Sequence, residues 1–416
     1  MNGRTMISAV AVLAAAVAGL AALACTPAIG FASASYVPQR DIDYDLGSPP
    51  LPPSTPDMNQ LDLYLPPHAR AGSRPVVVWI HGGGWRKGGK RIGVRKKAEL
   101  FTGAGYVFAS VNYRLSAAPF DPALPDPNRV MFPAQPDDVG EAIGWLDAHV
   151  DEYGGDRRRI VLIGHSAGAH LASLVATDPS YVRRYGVRAT QIIGFASLDP
   201  PAFDIAAGAD PDSSRRPEEG REMLWNAFGT PAENAETGSW AAASPVEFAG
   251  PNDPPALLVT QAGNRQRLVD HRAMALALGR DPGKVILPLA LDHREISRVL
   301  GAPYDASGET ASVLAFVRGA VAAERPARVR ITRRPPRRVP AGGEPVEVSF
   351  AFRSGEPGAR FRCRLDERRF APCRSPRSYR VEAGRHHFAV RALAQDAEPG
   401  PATSFRFRVL GSGARR

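Results

Sequence analysis

Apolar residues recur along this chain with two alternating periods. Residues 61–65, Leu-Asp-Leu-Tyr-Leu, alternate as in a half-buried strand, and 76–80, Val-Val-Val-Trp-Ile, form an unbroken apolar run. Further strands are expected over 105–112, 159–163, 192–196, 256–260 and 285–291. Helical spacing lies between them: 98–104, then 137–149 with Val139, Ile143, Leu146 and Val150 in step, then the small-residue stretch 167–176, and finally 310–321. Strands alternating with helices predict a largely parallel sheet covered on both faces, an α/β architecture. Residues 35–56 are Pro-rich and read as a surface wrap.

Two stretches break the rhythm. Residues 200–255 mix Pro, Gly, Ala and charge, with an amphipathic piece near Met223–Phe228, and read as a partial cap inserted over the sheet. After 321 the pattern shortens. Residues 325–340 alternate Arg with Pro and read as a linker or first edge strand. Beyond them, 346–352, 361–365, 378–381, 387–392 and 404–409 are short alternating segments divided by turn residues, as in a small all-β sandwich over 341–411.

Composition refines this picture. The chain has 416 residues, 44% hydrophobic and 23% charged, enough for a large core and too apolar for wholesale disorder. Residues 325–416 hold 22 Arg, no Lys and 8 acidic residues, a net of +14 against +10 for the whole chain, so the body before them is mildly acidic. A basic tail suits an anionic cell-surface polymer, and it also suits simple solubility. The aromatic residues Phe361, Phe370, Tyr379 and Phe388 fall at strand positions, which favours a core over a base-stacking platform and makes nucleic acid a poor partner.

The only apolar stretch long enough to cross a bilayer is 6–24, which excludes a polytopic membrane protein. With Arg4 before it and Ala32-Ser33-Ala34 after it, residues 1–34 read as an export leader cleaved before Ser35. A retained anchor or a lipoprotein acylated at Cys25 are the alternatives. The other cysteines, Cys363 and Cys373, have nine residues between them, where a hairpin could join them in a disulfide outside the cell. Two cysteines without metal-type His/Cys spacing argue against a zinc site.

The chemistry concentrates in two glycine motifs. Gly164-His165-Ser166-Ala167-Gly168 follows an apolar strand and opens a helix, so a sharp turn exposes the Ser166 hydroxyl and sets the Ala167 N–H at a helix N-terminus. His81-Gly82-Gly83-Gly84-Trp85 follows strand 76–80, and its adjacent glycines let the Gly83 and Gly84 N–H groups approach an oxyanion. A phosphate-binding loop would need Gly-Lys-Ser/Thr, which Gly88-Gly89-Lys90-Arg91 does not supply. Among the histidines after Ser166, His170 packs along the serine helix, His271 lies in a helical segment, and His386 and His387 lie in the tail. His293, after the strand at 285–291, can return over the serine as its base.

With HGGGW, Asn112-Tyr113-Arg114-Leu115, Phe132-Pro133-Ala134 ahead of Asp137-Asp138-Val139, and GHSAGAHLA in place, residues 56–322 resemble secreted α/β-hydrolase esterases. The likeness is to the branch of hormone-sensitive lipase, feruloyl esterases and kynurenine formamidases. The resemblance implies a doubly wound, mostly parallel sheet over 35–324 and hydrolysis of a small ester by a Ser/His/acid triad, with no metal or organic cofactor. The acid in this family normally follows the seventh strand, where this chain has Asn264. Asp199, directly after the sixth strand in a Leu-Asp-Pro context similar to pancreatic-type lipases, is the first candidate. Asn264 as a stand-in, Asp270 and Asp292 are the others. The tail, through Phe361-Arg-Cys363 and Pro372-Cys373, resembles bacterial Ig-like modules, in which a short disulfide pins a hairpin.

Three functions compete on these residues. The first is a secreted serine esterase, for which the mixed composition of 200–255 favours short acyl chains. The second is a surface-binding protein whose hydrolase site has decayed, motivated by Asn264. The third is an arylformamidase-type amide hydrolase using the same triad.

Overall fold

The computed structural model describes residues 36–45, 57–67, 73–116, 119–213, 215–323, 329–354, 359–393 and 402–411. The expected leader, Cys25 and the 6–24 apolar run lie outside these residues. Among the described residues no helix is long and apolar enough to cross a membrane.

Eight strands form one sheet: β1 (Val37–Asp43), β2 (Gln60–Leu65), β3 (Arg74–Ile80), β4 (Val107–Val111), β5 (Gly155–His165), β6 (Ile192–Leu198), β7 (Ala256–Gln261) and β8 (Ile286–Leu289). Their spatial order is β1-β2-β4-β3-β5-β6-β7-β8. The pairs from β4 through β8 are parallel, while β1 and β2 add an antiparallel edge.

Side chains on the central strands alternate between two cores, as the pleat requires. Val76, Val78, Ile80, Ile160 and Leu162 enter one core; Val77, Trp79, Val161 and Ile163 enter the other. Helices α1 (Arg95–Gly103) and Glu309–Ala323 cover the second face through Leu100, Phe101, Val313 and Val317. Helices α2 (Ala134–His149) and α3 (Ala167–Thr177) cover the first through Ile143, Leu146, Leu171 and Val175. This is the α/β-hydrolase arrangement, with every central strand buried on both sides.

Within the expected surface wrap, residues 37–43 form strand β1, paired with β2 at the sheet edge and mostly exposed. Its polar sequence lacks strand periodicity, and charge holds it instead. Asp62, fully buried on β2, takes Lys90 Nζ at 2.9 Å, Arg91 Nε at 2.9 Å and the Asp41 amide at 2.9 Å, and Lys90 also binds the Asp41 carboxylate.

Within 200–255 the chain forms short helices, of which Glu218–Phe228 is the longest. Phe228 at its end meets Trp85 edge-on, with ring centroids 4.8 Å apart, so this segment packs directly on the glycine loop after β3.

The residues from 329 onward form a separate all-β unit. A five-stranded sheet runs β10 (Arg338–Pro340), β16 (Thr403–Leu410), β15 (Gly384–Leu393), β12 (Arg360–Leu365), β13 (Ala371–Cys373). It faces a three-stranded sheet of β14 (Arg377–Val381), β11 (Val346–Ser354) and β9 (Val329–Arg333). Phe350 and Phe388 stack at 3.9 Å in the shared core, with Phe352, Phe405 and Phe407 around them. Cys363 and Cys373, on neighbouring strands with Cα atoms 5.8 Å apart, are joined as a disulfide. Phe370 does not lie on a strand. It precedes β13 outside the core, with the Arg364 and Arg391 guanidinium groups 4.9 and 4.2 Å from its ring centre.

Candidate active site

Ser166 lies between β5 and α3 with φ 54° and ψ −121°, a strained conformation that turns the hydroxyl out of the sheet. The turn is tight because its flanking residues have no side chains. A Cβ on Gly164 would strike the Gly168 backbone, and one on Gly168 would strike the Ile80 carbonyl. The Ser166 amide donates to Leu198 O at 2.9 Å, which ties the turn to the end of β6.

The next residue along β6 is Asp199, also at positive φ (52°), and its carboxylate is fully buried. It sits 2.5 Å from Nδ1 of His293, whose Nε2 is 2.9 Å from Ser166 Oγ. These contacts run in one line from carboxylate to imidazole to hydroxyl. Gln261 Nε2 donates to the same Asp199 carboxylate at 2.7 Å and Thr260 Oγ1 at 3.3 Å, and the Arg267 guanidinium lies 3.4 Å away. Burial alone would raise the Asp199 pKa. The His293 hydrogen bond, the Arg267 charge and the Gln261 amide outweigh it and hold the group below its usual 3.8. The carboxylate is therefore ionised and aimed at the imidazole.

His293 opens the short helix His293–Val299, capped by Asp292, whose carboxylate takes the Arg294 and Glu295 amides at 2.8 and 2.7 Å. His165 steadies the same segment. Its Nε2 donates to His293 O at 2.7 Å, and the two rings lie 4.7 Å apart. Burial, aided by the neighbouring His293, lowers the His165 pKa to about 4, so this ring is a neutral donor.

The glycine loop closes the other side. Gly82 packs so near the serine turn that a Cβ would lie 2.8 Å from His165 O and 3.0 Å from Ser166 Cβ. Gly83 (φ 135°) and Gly84 (φ 61°) adopt conformations that favour glycine. Trp85 anchors the loop in the core, edge-on to His170 and Phe228. Among the described residues, no hydrogen bond engages the amides of Gly83, Gly84 or Ala167. Met223, from the Glu218–Phe228 helix, overhangs the loop, its Sδ 2.9 Å from where a Gly84 Cβ would stand.

The other acid candidates are engaged elsewhere. Asn264 caps the helix Arg265–Ala277 by accepting the Arg267 amide at 3.1 Å. Asp270 takes Gln266 Nε2 at 2.9 Å and lies 3.8 Å from Arg215. Asp292 is the cap just described. His170 and His271 are buried and bonded to the backbone carbonyls of Ala243 and of Arg267 and Val259. Sequence reasoning missed His165, Gln261, Arg267 and Met223. Only Gln261 carried a signal, as a polar residue closing an otherwise apolar strand. Among the described residues, no group of His, Cys, Asp and Glu could hold a metal ion.

Residues 61–276, more than half of the chain, match the BD-FAE family. The chain belongs to the BD-FAE family. The matched span holds the glycine loop, Ser166 and Asp199, and ends before His293. LipM of Mycobacterium tuberculosis, a probable carboxylic ester hydrolase, is 35% identical over 123 residues, covering 29% of this chain and 26% of LipM. Phenmedipham hydrolase of Pseudarthrobacter oxydans is 30% identical over 190 residues, covering 44% of this chain and 36% of that protein. This BD-FAE chain thus spans about a quarter to a third of these curated relatives. Among solved structures, a truncated carbohydrate esterase from gut microbiota is similar with TM-score 0.51 and 18% identity, over 70% of this chain and 98% of that one. Esterase B from Lactobacillus rhamnosis gives TM-score 0.50 and 19% identity, over 69% and 85%. At such identities they show that this family member shares their fold.

Proposed function

We propose that this BD-FAE chain is a secreted serine hydrolase that cleaves carboxylic esters of small substrates, with short acyl chains preferred. The observation that carries the reading is the line Asp199–His293–Ser166 at 2.5 and 2.9 Å, beside three backbone amides with no acceptor among the described residues. The curated relatives named as ester hydrolases support the same chemistry.

In this mechanism Ser166 Oγ attacks the ester carbonyl while His293 Nε2 takes its proton. The imidazolium is stabilised by the buried Asp199 carboxylate. The carbonyl oxygen, now an oxyanion, accepts the N–H groups of Gly83, Gly84 and Ala167, each typically contributing about 3 kcal/mol. Collapse expels the alcohol, which receives the proton from His293. A water then repeats the cycle on the acyl-enzyme, with the same histidine as base, and frees the acid. Asp199 within reach of His293 supports a working relay over a decayed one, so Asn264 is not needed as the acid. Residues 1–34 as a leader, 35–324 as the hydrolase domain and 341–411 as an Ig-like accessory domain belong to the same proposal.

Hydrolysis of p-nitrophenyl acetate, butyrate and palmitate by the protein beginning at Ser35 tests it. Activity should fall with chain length and disappear in Ser166→Ala. No turnover of any ester by the parent protein would overturn the reading.

A further inference from the structure

The outer face of the five-stranded sheet carries a concentration of arginine that its own fold does not neutralise. Register places Arg338 of β10, Arg408 of β16 and Arg385 of β15 abreast on three adjacent strands. Arg406 lies two residues along β16 from Arg408, opposite His387, and Arg364 follows on β12. Together they line a groove of about 710 Å³. Strands about 4.8 Å apart bring like charges within each other's field, and like charges directly opposite destabilise a sheet.

No described acid pairs with Arg338, Arg364, Arg385, Arg406 or Arg408. Among the described residues of this unit the one His or Arg to carboxylate contact within ion-pair range is His386 Nδ1 to Asp366 at 2.9 Å, which engages one of the groove's two carboxylates. Glu367 is the other. The Nε atoms of Arg364 and Arg391 and Nε2 of His387 are buried without a hydrogen-bond partner among the described residues. Five exposed or half-exposed guanidinium groups with no ion-pair partner among the described residues outnumber the groove's two carboxylates, an excess of positive charge suited to an external anion.

We propose that this face binds an anionic polysaccharide through its carboxylates. Arginine without lysine suits it, because the planar fork takes carboxylates, as it does phosphates, in pairs of hydrogen bonds, and the oligonucleotide arm of the test below separates the two. A membrane surface fits less well: among the described residues of the 329–411 unit there is no exposed large hydrophobic side chain of the kind that inserts into lipid. Single-stranded nucleic acid fits less well too. Phe388, Phe405 and Phe407 are core residues, and Arg364 and Arg391 already lie against the Phe370 ring, so none of these four rings offers an open platform for bases.

The test is binding of the full mature protein to polygalacturonate across a salt series, with a single-stranded oligonucleotide and poly-glutamate alongside. Binding to polygalacturonate should weaken steeply with salt and fall by about tenfold or more in Arg385→Ser/Arg406→Ser/Arg408→Ser. The corresponding Lys triple variant should keep only part of the affinity. A control, Arg330→Ser/Arg353→Ser/Arg380→Ser, removes equal charge from the three-stranded sheet and should bind like the parent. Circular dichroism melting checks that each variant is folded. Equal losses in both Ser triple variants, tighter binding of either other polyanion, or no binding of polygalacturonate would each overturn the proposal.

Discussion

His293 Nδ1 lies 2.5 Å from Asp199 Oδ2, whereas Asn264, the residue nearest the acid's usual place in the sequence, turns away to cap the Arg267 amide at 3.1 Å. The two side chains therefore predict opposite consequences. Asp199→Asn should cut kcat by about 10⁴-fold, the loss expected when an imidazolium has no carboxylate. Asn264→Ala should leave kcat near the parent value and lower stability by about 1 kcal/mol, as for a lost helix cap. Ester hydrolysis and urea unfolding of both variants check the pair.

His165 touches His293, the proposed base, only through that residue's carbonyl and ring face. His165→Ala should lower kcat by up to about 10²-fold through a misplaced imidazole, with little change in KM. A larger effect on KM than on kcat would mean that this ring contacts substrate instead.

Gly84 and Met223 constrain each other. Gly84→Ala adds a Cβ 2.9 Å from the Met223 sulfur at a φ of 61°, so the methionine tip must yield while the strained backbone turns the loop amides off their aim. The expected loss is about 10²- to 10³-fold in kcat, the range measured for one oxyanion donor. Met223→Ala in the same chain should recover part of it by removing the clash while leaving the backbone strain. Steady-state kinetics of the single and double variants read this directly.

Glu309 gives the protein an alkaline weakness. Its carboxyl is fully buried with neither oxygen hydrogen-bonded, and burial, reinforced by Asp305 and opposed by Lys97, pushes its pKa up to about 9 from 4.5. The folded state thus prefers the neutral acid. Its contribution is fully present below pH 4.5 and is lost as pH rises through about 9. Lys97, lowered to about 8 chiefly by burial, works in the opposite sense. Glu309→Gln, neutral at every pH, should flatten the alkaline decline, which can reach about 1.4 kcal/mol per pH unit. Melting temperatures of parent and variant from pH 5 to pH 9 decide it.

The α/β alternation, Ser166 and His293 were legible because each rests on local pattern: apolar runs, glycine spacing and chain order. The acid could only be ranked, with Asp199 first of four candidates, for a geometric reason. Leu198, the end of β6, is in register with Val259, and β7 runs only two residues further, so the segment after either strand could face the imidazole. What decides is that Asp199 turns inward at positive φ directly after its strand, while Asn264 stands three residues beyond Gln261 at the start of a helix. No periodicity encodes that choice. Strand β1 was missed for a different reason, because ion pairs around Asp62 hold it where side-chain alternation would normally do so.

The hydrogen bond from the Ser166 amide to Leu198 O joins the nucleophile turn to the residue just before Asp199. Two of the three groups of the proposed triad therefore ride on neighbouring strands of one ladder, and a distortion of the sheet carries them together. The imidazole alone arrives from outside that frame, on a short segment after β8 at the sheet's margin. Heating should disengage this third partner first, so that catalysis fails several degrees before the sheet itself gives way.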